Sequence, residues 1–96
     1  MSQREEDAGL ADMIGREVVV DTRSPYVYLG TLRDPTSHFI GLSDVDVHDS
    51  SESRTTKELY IMNARQYGIR RNRAAVRIRR DEVISISLLA DVLVFE

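Results

Sequence analysis

Apolar and polar positions in this chain alternate in short runs that are broken every six to twelve residues. Glu17-Val18-Val19-Val20-Asp21-Thr22 is β-branched and of strand length, and Arg23-Ser24-Pro25 stops it. Tyr26-Val27-Tyr28-Leu29-Gly30-Thr31-Leu32 reads as a second strand with a glycine inside it. A glycine there weakens a strand, so it marks a sharp bend or a close backbone approach. Asp34-Pro35-Thr36-Ser37 is a turn. His38 to Asp49 forms a third, long strand whose alternation slips. Ile40 and Leu42 share one face and Val45 and Val47 the other, so the strand must bulge or bend near Ser43. After a turn at Asn72-Arg73, the stretches Ala75-Val76-Arg77-Ile78-Arg79 and Val83-Ile84-Ser85-Ile86-Ser87-Leu88 alternate as two further strands, with Arg80-Asp81 as a tight connection.

Two segments have helical spacing instead. Ser2-Gln3-Arg4-Glu5 has the capping-box pattern, Leu10, Met13 and Ile14 come after it at i, i+3, i+4, and Gly15 is a stop, which predicts a short N-terminal helix. Thr55-Thr56-Lys57-Glu58 repeats that pattern. Tyr60, Ala64 and Tyr67 stand at i, i+4, i+7, and Gly68 sits where a C′ residue belongs, which predicts about three turns of helix over 55–67, with a strand as the competing reading. A stripe of this kind is ordinarily a packing face; on a helix projecting from a barrel it would instead dock a protein partner. Two kinked strands in succession curl a sheet toward a small barrel. The expected class is therefore mainly β: one domain over 1–96, a five-stranded, strongly bent antiparallel sheet or small open barrel. Its parts are an N-terminal helix (1–14), strands one to three (16–49), a loop with a helical insertion (50–73), strands four and five (74–90) and a C-terminal tail (91–96).

Composition narrows the chemistry. The 96 residues are 42% hydrophobic and 30% charged, ordinary for one globular domain with a modest core. There is no cysteine, which removes disulfides, thiolate metal sites and cysteine nucleophiles and suits a reducing cytoplasm. The acidic start, Met1 to Asp7, is unlike a secretory signal, and no apolar run approaches the ~20 residues of a membrane span. Net charge is −3, but it is unevenly spread. Residues 1–58 hold twelve acids and six bases, residues 59–80 hold seven arginines and no acid, and residues 81–96 hold four acids and no base. An electrostatic footprint is local, so the arginine block matters more than the total.

These residues resemble a known family. Tyr28-x-Gly30-x-Leu32, coming after Val18-x-Val20, resembles the first Sm motif, whose glycine lets the second strand bend. Ile78-Arg79-Arg80, with Val83 and Ile86 beyond it, resembles the second. The chain looks like a divergent, bacterial-type member of the Sm-like (LSm) family over residues 5–49 and 74–90, with 50–73 as an enlarged loop between the motifs. The resemblance implies a five-stranded bent barrel. Its last two strands pair edge to edge with neighbouring copies, closing a homo-oligomeric ring of six or seven that binds single-stranded RNA near its pore. By that resemblance Val76, Ile78, Ile84 and Ile86 would lie at the oligomer interface. The chain departs from the family in two places. Asp34 to Gly41 is longer than the usual Asp-x-aromatic-Met-Asn and lacks its asparagine, and Arg80 replaces the glycine of the second motif.

The candidate RNA contacts are His38 and Phe39, which can stack on bases, and Arg77, Arg79 and Arg80, which can meet phosphates. Arg65, Arg70, Arg71 and Arg73 extend the basic patch, whose bland reading is a solvated face or pairing with acids of the N-terminal part. Alternation puts Arg77 and Arg79 opposite Val76 and Ile78, hence exposed. Asp44, Asp46 and His48 share one side of an extended strand and are weak metal candidates, with a solvent-facing strand as the bland alternative. Neither His38 nor His48 sits in a nucleophile signature, and Gly9, Gly15, Gly30, Gly41 and Gly68 form no phosphate loop. The expectation is a non-enzymatic, cofactor-free, cytoplasmic ring that binds single-stranded RNA. The alternative is a protein-interaction or scaffold module of the same architecture, engaging a partner through the 55–67 helix.

Overall fold

In the computed structural model, which describes residues 9–51 and 56–94, Val18, Val19 and Val20 are all buried, although neighbouring strand residues point to opposite faces. Both faces of β1 (Glu17–Thr22) are therefore covered. The sheet adds β2 (Tyr26–Arg33), β3 (Phe39–Asp49), β4 (Arg73–Arg79) and β5 (Val83–Leu88), all antiparallel, in the spatial order β4-β3-β2-β1-β5. The two last strands in sequence are thus the two edges.

The inner face gathers Val18, Val20, Leu32, Ile40, Leu42, Val45 and Ile78 into one apolar cluster. Ile40 and Leu42 reach it from one half of β3 and Val45 from the other, which strict alternation forbids. The register shows how. From Leu29 to Thr31 β2 advances two residues, while β3 moves three, from Asp46 to Ser43. The extra residue is a bulge at Asp44, whose φ of 52° lies in the left-handed region. Gly30 faces that bulge. A Cβ there would stand 3.0 Å from the Ser43 carbonyl oxygen and 3.3 Å from Val45 Cγ2.

The outer face carries a second cluster, Val19, Val27, Leu29, Ala64 and Leu89. It is roofed by α1 (Lys57–Tyr67), the one α-helix among the described residues, and by a 3-10 turn, Leu89–Asp91. The helix is capped by Thr56, whose side chain accepts from the Leu59 N–H, one residue beyond the expected start. It ends at Gly68, with φ 97° and an N–H donated to the Ala64 carbonyl. Lys57 Nζ pins its first turn to the β1–β2 connection, at 2.7 Å from Asp21 Oδ1, 2.9 Å from Ser24 O and 3.3 Å from Thr22 O.

Several expectations change. The inserted helix lies flat on the sheet instead of projecting from it, because Tyr60, Ile61 and Ala64 cover the apolar residues left on the outer face; of the expected stripe, Tyr67 is 77% exposed. Residues 1–8, and with them the expected capping box, lie outside the described residues. Of the expected N-terminal helix the described residues hold one 3-10 turn, Ala11–Met13, from which Leu10 and Met13 reach the inner cluster while Ile14 stays exposed. β4 begins at Arg73, inside the segment read as a turn, and β3 begins at Phe39. Of the residues assigned to an oligomer interface, Ile78 is 5% exposed, and Val76 and Ile86 also pack on the chain's own core; only Ile84, 62% exposed, faces outward.

Replacing Gly30 by alanine should cost about 1–3 kcal/mol of stability, the usual penalty for overpacking. Urea unfolding measures it, and an unchanged midpoint would contradict the close approach at the bulge.

Candidate functional site

Four of the residues singled out for nucleic-acid contact meet at one end of the β3–β4 ladder, and a fifth lies one rung along. Phe39 is directly opposite Arg79, and Gly41 opposite Arg77. Opposed residues of an antiparallel pair carry their side chains on one face with Cβ atoms about 5 Å apart, so Phe39 and Arg79 leave the ladder side by side. The Arg80 N–H donates to the His38 carbonyl at 2.9 Å, tying the β4–β5 turn to the β2–β3 turn. That second turn is shaped by Thr36. Its N–H donates to the Phe39 carbonyl at 2.8 Å, and its hydroxyl oxygen accepts from the Phe39 N–H at 3.0 Å. His38, Phe39, Arg77 and Arg79 are exposed and Arg80 is half-buried. Arg79 pairs with Asp81 at 2.9 Å, but the two side chains are 68% and 65% exposed, so the pair is weak and open to competition.

The remaining arginines do not join this group. Arg73 starts β4, six residues from Arg79 and so about 20 Å away along the strand. Arg71 is held by Asp44 at 3.1 Å. Arg65 lies on α1 beside Arg16, Glu17 and Leu89. The run that looked continuous in sequence is divided between an exposed strand face, a loop and a helix.

Asp44, Asp46 and His48 do not form a solvent-facing trio. Asp44 turns out at the bulge to Arg71, whereas Asp46, 8% exposed, is covered by α1. Asp46 accepts hydrogen bonds from the Tyr60 hydroxyl and, at 3.0 Å, from Asn72 Nδ2. His48 stacks on the Tyr60 ring, with centroids 3.8 Å apart and planes 9° from parallel. Among the described residues no group of three or more His, Cys, Asp or Glu is placed to hold a metal. Asn72 is the residue whose importance the sequence hid: its Oδ1 accepts from the Val47 N–H at 3.1 Å, and its own N–H donates to the Val45 carbonyl at 2.8 Å. An asparagine before a strand reads as a turn, and nothing local marks it as the partner of a carboxylate 26 residues earlier.

The geometry belongs to a known architecture. No protein-family model matches the chain, and no curated protein matches it in sequence. Solved structures do. The chain is 17% identical to the Sm protein of Pyrococcus abyssii solved in complex with a uridine heptamer, with a TM-score of 0.58 over 84% of this chain and 93% of that one. The fold is Sm-like. It is also similar to a chain of the NatC complex bound to CoA, at 20% identity and a TM-score of 0.55 over 82% of each chain. The Sm-like fold positions the His38–Phe39 turn beside the Arg79–Arg80 turn, and it leaves β4 and β5 as edges.

Burial raises the Asp46 carboxyl above its ordinary value near 3.8, outweighing the favourable charges of His48 and Arg70. The folded state then holds this proton more tightly than the unfolded chain, so this contribution to stability is fully present below 3.8 and is lost as pH rises through the raised value. Asp49, held low by hydrogen bonds from Ser51, acts in the opposite sense on the acid side of 3.8. The melting-temperature advantage of wild type over Asp46→Asn should therefore shrink from acid to neutral pH. A difference that grows with pH would contradict this account.

Proposed function

We propose that the chain is a non-catalytic, cytoplasmic Sm-like protein that assembles with copies of itself through β4 and β5 into a ring and binds single-stranded RNA at the His38–Phe39/Arg79–Arg80 end of the sheet. The carrying observation is the Phe39–Arg79 rung, flanked by the Arg80–His38 hydrogen bond: an exposed aromatic at the start of β3 opposite an exposed arginine at the end of β4. An aromatic face accepts any base by stacking, and a guanidinium supplies a two-pronged contact to phosphate. Arg77 adds positive charge one rung along. The absent asparagine takes away amide readout of a base, so binding here rests on stacking and charge and favours no base strongly.

Self-association is supported by the topology. β4 and β5 each have one strand partner among the described residues, β3 and β1 respectively. Exposed edges of that kind are templates for pairing, and closure into a ring satisfies them. A second reading, a protein-interaction module of the same architecture, is supported by the comparable likeness to a chain of a multiprotein complex.

Anisotropy titration with labelled single-stranded RNA distinguishes the two. Binding should weaken steeply with salt, and Arg79→Ala should reduce the slope of log K against log salt by about 0.7, the value for one phosphate contact on a single strand. Phe39→Ala should cost about 1–3 kcal/mol of binding. No binding at low salt would remove the RNA reading in favour of the protein-interaction one.

A further inference from the structure

β3 contains a glycine that the fold does not require. Gly30 must lack a side chain, whereas a Cβ at Gly41 would meet nothing nearer than the Arg33 carbonyl oxygen at 3.8 Å, an ordinary contact. Nor does Gly41 have the positive φ found at Gly15 and Gly68. A glycine inside a strand gives up packing and favourable backbone entropy, and where neither neighbours nor dihedrals call for it, it suits close approach by something outside the chain.

Its surroundings indicate the chemistry. Gly41 is the centre of one rung, Arg33–Gly41–Arg77, running across β2, β3 and β4. With strands about 4.8 Å apart, the two arginine backbones stand roughly 9.6 Å apart, with a bare floor between them. Phe39, Thr36 and Ser43 help enclose a hollow of about 360 Å3 over that floor. Arg33 Nε is steadied by Ser43 Oγ at 3.0 Å. Arg77 is exposed and makes no ion pair with the described residues. Asp34 also lines the hollow, and the two guanidiniums outweigh its single charge.

We propose that the Arg33–Gly41–Arg77 rung seats a phosphodiester of the bound single strand, one nucleotide beyond the base stacked on Phe39. The inference rests on the RNA-binding reading above and gives the strand a path outward across the sheet. Guanidiniums from both sides fork onto the phosphate oxygens, and the missing side chain lets the sugar–phosphate reach the strand backbone. The Arg79 and Arg77 rungs are two residues apart, about 6.8 Å, a step suited to one nucleotide of an extended strand.

The test is anisotropy titration of a labelled uridine heptamer over a range of salt. Gly41→Val keeps both arginines, adds a β-favouring side chain and should melt no lower than wild type, yet should bind about tenfold more weakly. Arg77→Gln should also weaken binding and reduce the salt slope by about 0.7. If both variants bind as wild type does while Arg79→Ala binds more weakly, the phosphate seat is refuted and the RNA reading stands. If wild type binds no heptamer, both fall. If Gly41→Val changes the protein's mass in solution, the rung touches a neighbouring copy and the phosphate assignment is overturned.

Discussion

Between Leu29 and Thr31 the second strand advances two residues while the third advances three, and Gly30 is what lets the two backbones stay in contact there. The extra residue, Asp44, takes up a left-handed backbone conformation, and the strand beyond it resumes with its apolar residues still directed inward. Without that step either Ile40 and Leu42 or Val45 would face outward, and the inner cluster would lose one half of β3. The same step bends the longest strand of the sheet. The curl of the sheet and the continuity of the inner core across β3 both depend on it.

The outer face is closed by different means. A bent sheet with Val19, Val27 and Leu29 on its convex side needs a cover, and the insertion between β3 and β4 supplies it. Apolar packing by Ile61 and Ala64 is joined by a polar clamp in which Tyr60 meets both Asp46 and His48, while Asn72 fastens the same carboxylate to the start of β4. A buried carboxylate of this kind is retained because its acceptors are occupied, and losing one donor leaves the desolvation unmatched. The clamp holds helix and strand together at one end of β3, leaving the exposed Phe39–Arg79 rung at the other.

Much of the fold was legible because it is written in short-range alternation. The strand pattern, the glycine bend and the slip near Ser43 are all local signals. Even the double burial of β1 is visible in Val18-Val19-Val20, since three successive apolar residues cannot all face one side. What was hidden is long-range. Period-2 alternation shows that Val76, Ile78 and Ile86 share a face without saying whether that face meets the chain's own core or another molecule. Asp46 looked solvent-exposed because nothing in Asp44 to Asp49 announces that a helix a dozen residues later will lie over it. The arginines looked like one patch because a run in sequence becomes helix, loop and strand in space. Gly41 was noted among scattered glycines, and only its register between two arginines gives it meaning.

A ring forms only if the two open edges are satisfied by other copies of the chain. The most direct measurement is the mass in solution of the nuclease-treated protein by light scattering. A closed assembly at a whole multiple of 10.9 kDa is the expected result. A stable species at 10.9 kDa itself, with both edge strands left to solvent, would contradict it.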